Sequence, residues 1–133
     1  MSFQGAGQYD IRTFLNPEYN INNWGGTMEP GASVRLHPRN PSSPNALWQV
    51  SPVSGSADNA IVSTPQISPA NQNAHWKIVQ APNGGGSIFN IISVVPGRGL
   101  LTVQDGAVQR GTPIIASMDG RPDSQKWYFT LQQ

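Results

Sequence analysis

The chain contains no cysteine. That excludes a disulfide framework, a thiol nucleophile and a cysteine-based zinc site. Charge is scarce as well: only 11% of residues are charged, and 8 Lys and Arg nearly balance 7 Asp and Glu for a net charge of +1. Nucleic acids and anionic membrane surfaces are recognised through concentrated positive charge, so neither is expected as a partner. No apolar run approaches the roughly 18 residues of a membrane-spanning helix, and no direct membrane insertion is expected. The first residues, Met-Ser-Phe-Gln-Gly-Ala-Gly-Gln, lack the basic start and apolar run of a secretory signal. The expectation is a cytoplasmic protein, or one exported by an unusual route. His37 and His75 are the only histidines. No third ligand stands at metal spacing, so neither a metal nor a cofactor is expected.

What the chain does have is turn-formers and neutral polar groups. It carries 14 Gly and 12 Pro in 133 residues, which argues against long helices and for an all-β chain. The length suits a single domain, residues 1–133, with one modest core. Its many Asn, Gln, Ser and Thr side chains give a wet, uncharged surface that offers donors and acceptors together. Such a surface suits a neutral, hydroxyl-rich ligand.

One pattern recurs three times: Trp48-Gln49-Val50, Trp76-Lys77-Ile78 and Trp127-Tyr128-Phe129. In each, a Trp and the apolar residue two positions on point to the same side of a strand. Each is preceded by a polar run, so the core is expected to be built by repetition. The first and last thirds share a plan. Tyr9-Asp10-Ile11-Arg12 and Phe89-Asn90-Ile91 open them, Asn16-Pro17 and Pro96-Gly97 supply turns, and a second strand follows at Tyr19–Asn22 and at Leu100–Val103. Third strands follow at Ser33–His37 and Ile114-Ile115, with Leu36 and Ile115 each 12 residues before their Trp. Tyr9 precedes Trp48 by 39 positions and Phe89 precedes Trp127 by 38. The middle is shorter: Trp48 to Trp76 is 28 positions against 51 from Trp76 to Trp127, a shortfall of about 23. On this reading Ile61-Val62-Ser63 matches Ile114-Ile115-Ala116, and the first hairpin of the middle unit is either compressed into Ser54–Asn59 or missing. The repeats span about 7–53, 54–82 and 83–133. Three ways of closing the middle stay open: a fourth strand running on through Val53, a lost barrel strand, or a partner subunit over the gap.

Threefold strand–turn–strand–strand–loop units ending in Gln-x-Trp resemble the ricin B-type β-trefoil lectins, in particular the cysteine-free, signal-less lectins of mushrooms and other fungi. The resemblance covers residues 7–131. Its signature is strict at Gln125-Lys126-Trp127, while the other two units read Asn-x-x-Trp, from Asn45 and Asn73. It implies a β-trefoil of three repeats, the middle one shortened, in which six strands close a barrel and hairpins cap it. The three Trp would sit in the core with Ile11, Val50, Ile78, Ile91, Phe129 and Leu131. It further implies galactose or N-acetylgalactosamine-type glycans as partners, no enzymatic activity and a defensive role, with a homodimer left open.

The same resemblance places the sugar sites. A polar residue after the second strand grips hydroxyls, a ring packs on the sugar's apolar face, and an Asn or Gln before the Trp completes the grip. The first repeat offers Asn22, Asn23, Trp24, Gly25, His37, Arg39 and Asn45. Asn22 stands where the family usually has Asp, so it lacks the charge that strengthens such bonds. Trp24, beside Gly25-Gly26, either stacks on a sugar or packs beneath the hairpin. The third repeat offers Thr102, Gln104, Asp105, Asp119, Asp123 and Gln125. There Thr102 takes the usual Asp position, and Asp105, three residues on, is the candidate replacement, although Asp105-Gly106 and Asp119-Gly120 also read as simple turns. The middle repeat keeps Asn71, Gln72, Asn73 and His75, and is expected to be weak or dead.

Other functions need other patterns. The seven carboxylates are scattered, with no pair marked as a glycosidase couple. No nucleophile-elbow signature occurs. Gly84-Gly85-Gly86 lies between two strands, not before a helix, so it is no phosphate loop. The alternative to a lectin is a β-trefoil protease inhibitor acting through the rigid, proline-rich loop Pro38–Pro44. A storage protein with a degenerate core is the third reading.

Overall fold

The computed structural model describes residues 7–23, 34–39, 47–52, 59–63, 75–81, 88–95, 97–118 and 123–132. Ten strands run in chain order: β1 (Gly7–Thr13), β2 (Tyr19–Asn23), β3 (Val34–Pro38), β4 (Trp48–Pro52), β5 (Asn59–Ser63), β6 (His75–Gln80), β7 (Phe89–Ser93), β8 (Leu100–Val103), β9 (Ile114–Ser117) and β10 (Trp127–Gln132). Six of them close a ring. β1 pairs with β4, β4 with β5, β5 with β6, β6 with β7, β7 with β10, and β10 returns to β1, always antiparallel. Closure removes the open edges of the barrel. The hairpins β2–β3 and β8–β9 join this ring through the pairing of β1 with β2 and of β7 with β8.

The register shows why the Trp strands recur. Between units, Trp127 is paired with Thr13 and Phe129 with Ile11; Trp48 with Ser63 and Val50 with Ile61; Trp76 with Ser93 and Ile78 with Ile91. Within units, Trp48 is paired with Tyr9, Trp76 with Asn59 and Trp127 with Phe89. The hydroxyl residue paired with the Trp ends its strand. Thr13 Oγ1 accepts from Leu15 N–H at 3.1 Å, and Ser93 Oγ accepts from Val95 N–H at 3.1 Å, a local turn that competes with the ladder. In the first unit Asn16 continues that turn, its side chain accepting from Glu18 N–H and its carbonyl from Tyr19 N–H.

These pairings correct the strand assignment of the middle unit. Ile61 is the counterpart of Ile11 and Ile91, not of Ile114 or Ile115, because β5 is a barrel strand paired along its whole length with β4. No barrel strand is lost; Val53, through which the fourth strand would run on, lies outside the described residues. What the described residues lack is a hairpin between β5 and β6. Asn59 precedes Trp76 by only 17 positions, against 39 and 38 in the outer units. The molecule is a β-trefoil of three repeats with the middle one shortened.

A second correction concerns the third strands. Ile21 is paired with Leu36 and Leu101 with Ala116, so Leu36 corresponds to Ala116, one residue beyond Ile115. The polar loop before Trp127 is one residue shorter than that before Trp48, and equal counting back from each Trp hides the slip.

Tyr9, Ile11, Ile21, Leu36, Trp48, Val50, Phe89, Ile91, Val103, Trp127 and Phe129 form the core. Phe129 sits edge-on to both Tyr9 and Phe89, with ring centroids 5.5 and 5.8 Å away. Trp76, Ile78 and Leu131 are partly buried and pack against this cluster, short of the full burial expected of them. Two Trp also tie barrel to hairpin: Trp48 Nε1 donates to Ile21 O at 2.9 Å, and Trp127 Nε1 donates to Leu101 O at 3.1 Å.

Candidate functional site

The clearest candidate lies in the third unit, where two segments about 20 residues apart in sequence meet. β8 runs into the 3-10 turn Gln104–Gly106, and the loop before β10 ends in the 3-10 turn Asp123–Gln125. The two turns lie against each other, and the second also rests on β8. The Trp127–Leu101 hydrogen bond fixes their separation.

The first turn is held at both ends. Gln104 N–H donates to Pro113 O and Ala107 N–H to Gln104 O, each at 3.1 Å. Between them Asp105 adopts a left-handed backbone, φ 55° and ψ 13°, among the described residues the sole non-glycine with positive φ. Asp tolerates that region better than most residues, but it still carries a cost. The conformation leaves Asp105 exposed beside the half-buried Gln104. The second turn is anchored from the barrel: Asn90 Nδ2 donates to Gln125 O at 2.8 Å, and Phe14 N–H donates to Lys126 O at 3.0 Å. Ser124 and Gln125 are buried, while Asp123 is exposed and pairs with Lys126 Nζ at 3.2 Å. Thr102 is buried behind the turn, and its hydroxyl donates to Leu100 O at 2.8 Å. The only carboxylates at the rim, among the described residues, are therefore Asp105 and Asp123.

The first unit presents a different arrangement. Asn22 is 7% exposed and is paired with Arg35, and Asn23 ends β2. His37 is paired with Asn20, and its Nδ1 lies 2.6 Å from Pro38 O. Arg39 turns back into the molecule: its Nε donates to Asp10 Oδ2 at 2.7 Å, and Asp10 Oδ1 accepts from Asn20 Nδ2 at 2.9 Å. Asp10 is buried, so this network pins the start of the loop after β3 to the barrel. Trp24, Gly25, Asn45 and Asp119 lie outside the described residues, as do Asn71, Gln72, Asn73 and most of the loop Pro38–Pro44. His75 opens β6.

Sequence reading did not find the Asp10–Asn20–Arg39 network. Its members are 10 and 29 residues apart on three elements, and only the pairing of β1 with β2 brings them together. It also missed Arg35, whose Nη1 donates to Gly111 O at 2.9 Å and clasps one hairpin to the other. Among the described residues no three His, Asp or Glu side chains gather closely enough to hold a metal ion. No helix among them is long and apolar enough to cross a membrane.

No family model matches the chain. A curated relative does: it is 38% identical to the agglutinin of Sclerotinia sclerotiorum over 150 residues, covering 97% of this chain and 98% of that protein. Since 97% of 133 residues is about 129, about 21 of those 150 aligned positions have no residue of this chain, close to the shortfall of about 23 positions in the middle unit. Among solved structures, the Rhizoctonia solani agglutinin superposes with a TM-score of 0.80 at 19% identity, covering 99% of both chains. A designed threefold-symmetric protein, ThreeFoil, superposes with a TM-score of 0.78 at 15% identity, covering 96% of this chain and 99% of that one. At such identities these two likenesses speak to the fold.

Proposed function

Because this chain belongs to the β-trefoil lectin family of the Sclerotinia sclerotiorum agglutinin, we propose that it binds glycans ending in galactose or N-acetylgalactosamine and performs no chemistry on them. The observation that carries the reading is the pair of facing turns, Gln104–Gly106 and Asp123–Gln125, held at the end of a barrel strand by Trp127. They gather carboxylate and amide groups from two parts of the chain at one surface. Sugar hydroxyls donate and accept together, and planar Asp and Gln side chains can take two at once.

Asp105 supplies the charged grip that Thr102 does not. The Thr102 hydroxyl is spent on Leu100 O, whereas the Asp105 carboxylate faces solvent. Gln104 and Asp123 flank it. In the first unit, Asn22 and His37 would serve a second, uncharged site, with Arg39 setting the loop rather than meeting the sugar. On this reading the chain acts as a ricin B-type lectin, in the cytoplasm and in a defensive role. The relatives give no support to the protease-inhibitor alternative.

Titration of the purified chain with oligosaccharides differing only in the terminal sugar tests the specificity. Saturable binding to galactose- or N-acetylgalactosamine-terminated chains, and none to glucose- or mannose-terminated ones, is expected. Equal binding to all, or to none, refutes it.

A further inference from the structure

The turn that carries Asp105 belongs to the third unit, but part of what holds it comes from the first. Gln104 N–H, which opens the turn, donates to Pro113 O at 3.1 Å. Pro113 ends a short segment, 111–113, that lies along β3. Leu36 N–H donates to Thr112 O and Gly111 N–H donates to Leu36 O, both at 2.8 Å, and Arg35 is bridged to Pro113. The half-buried Arg35 adds a side-chain bond to the same segment, from Nη1 to Gly111 O at 2.9 Å. Just before it the chain turns back on itself, with Thr112 N–H on Gln109 O at 3.2 Å. One segment therefore meets Arg35 on one side and the Asp105 turn on the other.

The threefold plan shows that the hairpin does not itself require an arginine there. Asn22 is paired with Arg35 in the first unit and Thr102 with Ile115 in the third, so Ile115 stands in the place of Arg35. An isoleucine has no side-chain donor, and β8–β9 forms with one. The backbone bonds of Leu36 already join the first hairpin to residues 111 and 112. What Arg35 adds is a charged donor, which binds a carbonyl more strongly than a neutral one does. It acts two residues before the carbonyl that Gln104 uses. The turn has need of that hold, because the left-handed backbone of Asp105 persists only where its surroundings over-determine it.

We propose that Arg35 is a positioning residue of the third-unit glycan site. By fixing the Gly111 carbonyl it holds residues 111–113 against Gln104, and so keeps the Asp105 carboxylate at the rim. Arg35 acts through Gly111 and Pro113, not by contact with the sugar. This role rests on the third-unit reading given above, although the hold on the turn can be measured without a sugar.

Amide hydrogen exchange and glycan titration, both on the full chain, test the two halves. Arg35→Met keeps the side-chain stem and removes the donor. Exchange at the Gln104 and Ala107 amides should quicken about tenfold or more, while the amides of β1 and β10 keep their parent rates. Affinity for a galactose- or N-acetylgalactosamine-terminated glycan should fall about three- to tenfold. That loss should vanish when Arg35→Met is made in an Asp105→Gly background, because the two residues act through one contact; a general loss of stability would add instead. Arg35→Lys restores a donor and should recover part of both effects. Arg110→Ala removes the same charge from an exposed neighbour of Gly111 and should leave both readouts at parent values. Parent rates at Gln104 and Ala107 in Arg35→Met overturn the proposal, as does parent affinity in a variant whose turn exchanges fast. If the turn responds and the parent binds no glycan, the hold on the turn stands and the glycan reading falls.

Discussion

Arg39 Nε donates to Asp10 Oδ2 at 2.7 Å, joining a half-exposed guanidinium to a carboxylate whose side chain is only 4% exposed. Surface ion pairs contribute little, but this one neutralises a buried charge. Arg39→Ala leaves Asp10 with Asn20 alone and should cost about 1–2 kcal/mol in chemical denaturation. Adding Asp10→Asn to that variant should recover part of the loss, because the uncompensated charge is then gone.

The three Trp occupy equivalent positions but unequal surroundings. Trp127 is wholly buried and holds Leu101 O, while Trp76 is partly exposed in the shortened middle unit. Trp127→Ala should cost about 3–5 kcal/mol and Trp76→Ala clearly less. Trp127→Phe should still cost about 1–2 kcal/mol, because Leu101 O loses its donor. Thermal melts of the three variants give the order.

Two glycines with positive φ separate packing from backbone strain. A Cβ at Gly99 would lie 2.3 Å from Ser117 O, whereas a Cβ at Gly106 meets nothing within 4 Å. Gly106→Ala should therefore cost only the left-handed backbone term, about 1 kcal/mol. Gly99→Ala must also push β9 away from β7–β8, and should cost at least about 2 kcal/mol more. Comparable melting temperatures for the two would refute this.

The fold was legible wherever local pattern and spacing carry it. Trp-x-apolar triplets place β4, β6 and β10, and the 39- and 38-residue spans match the outer units. The middle unit was misread because alternation identifies a strand but not its partner. Ile61-Val62-Ser63 looks like a hairpin strand, and only its pairing with β4 shows it to be a barrel strand. The offset of Leu36 and Ala116 was hidden by one residue in a loop. For the site, turn chemistry pointed to Asp105-Gly106, but the burial of Thr102 and Asn22 depends on strands from elsewhere in the chain. Arg39 reads as a sugar-site residue in the sequence for the same reason: its partner Asp10 is 29 residues away.

The most direct test of the account is a calorimetric titration of the parent and of Asp105→Gly with a galactose- or N-acetylgalactosamine-terminated glycan. Glycine accepts the left-handed backbone of residue 105, so the turn survives while the carboxylate is lost. Saturable binding by the parent, weakened about tenfold or more in the variant with its melting temperature unchanged or raised, is the expected result. A variant that binds as tightly as the parent would contradict the site, and a parent that binds no glycan would contradict the function.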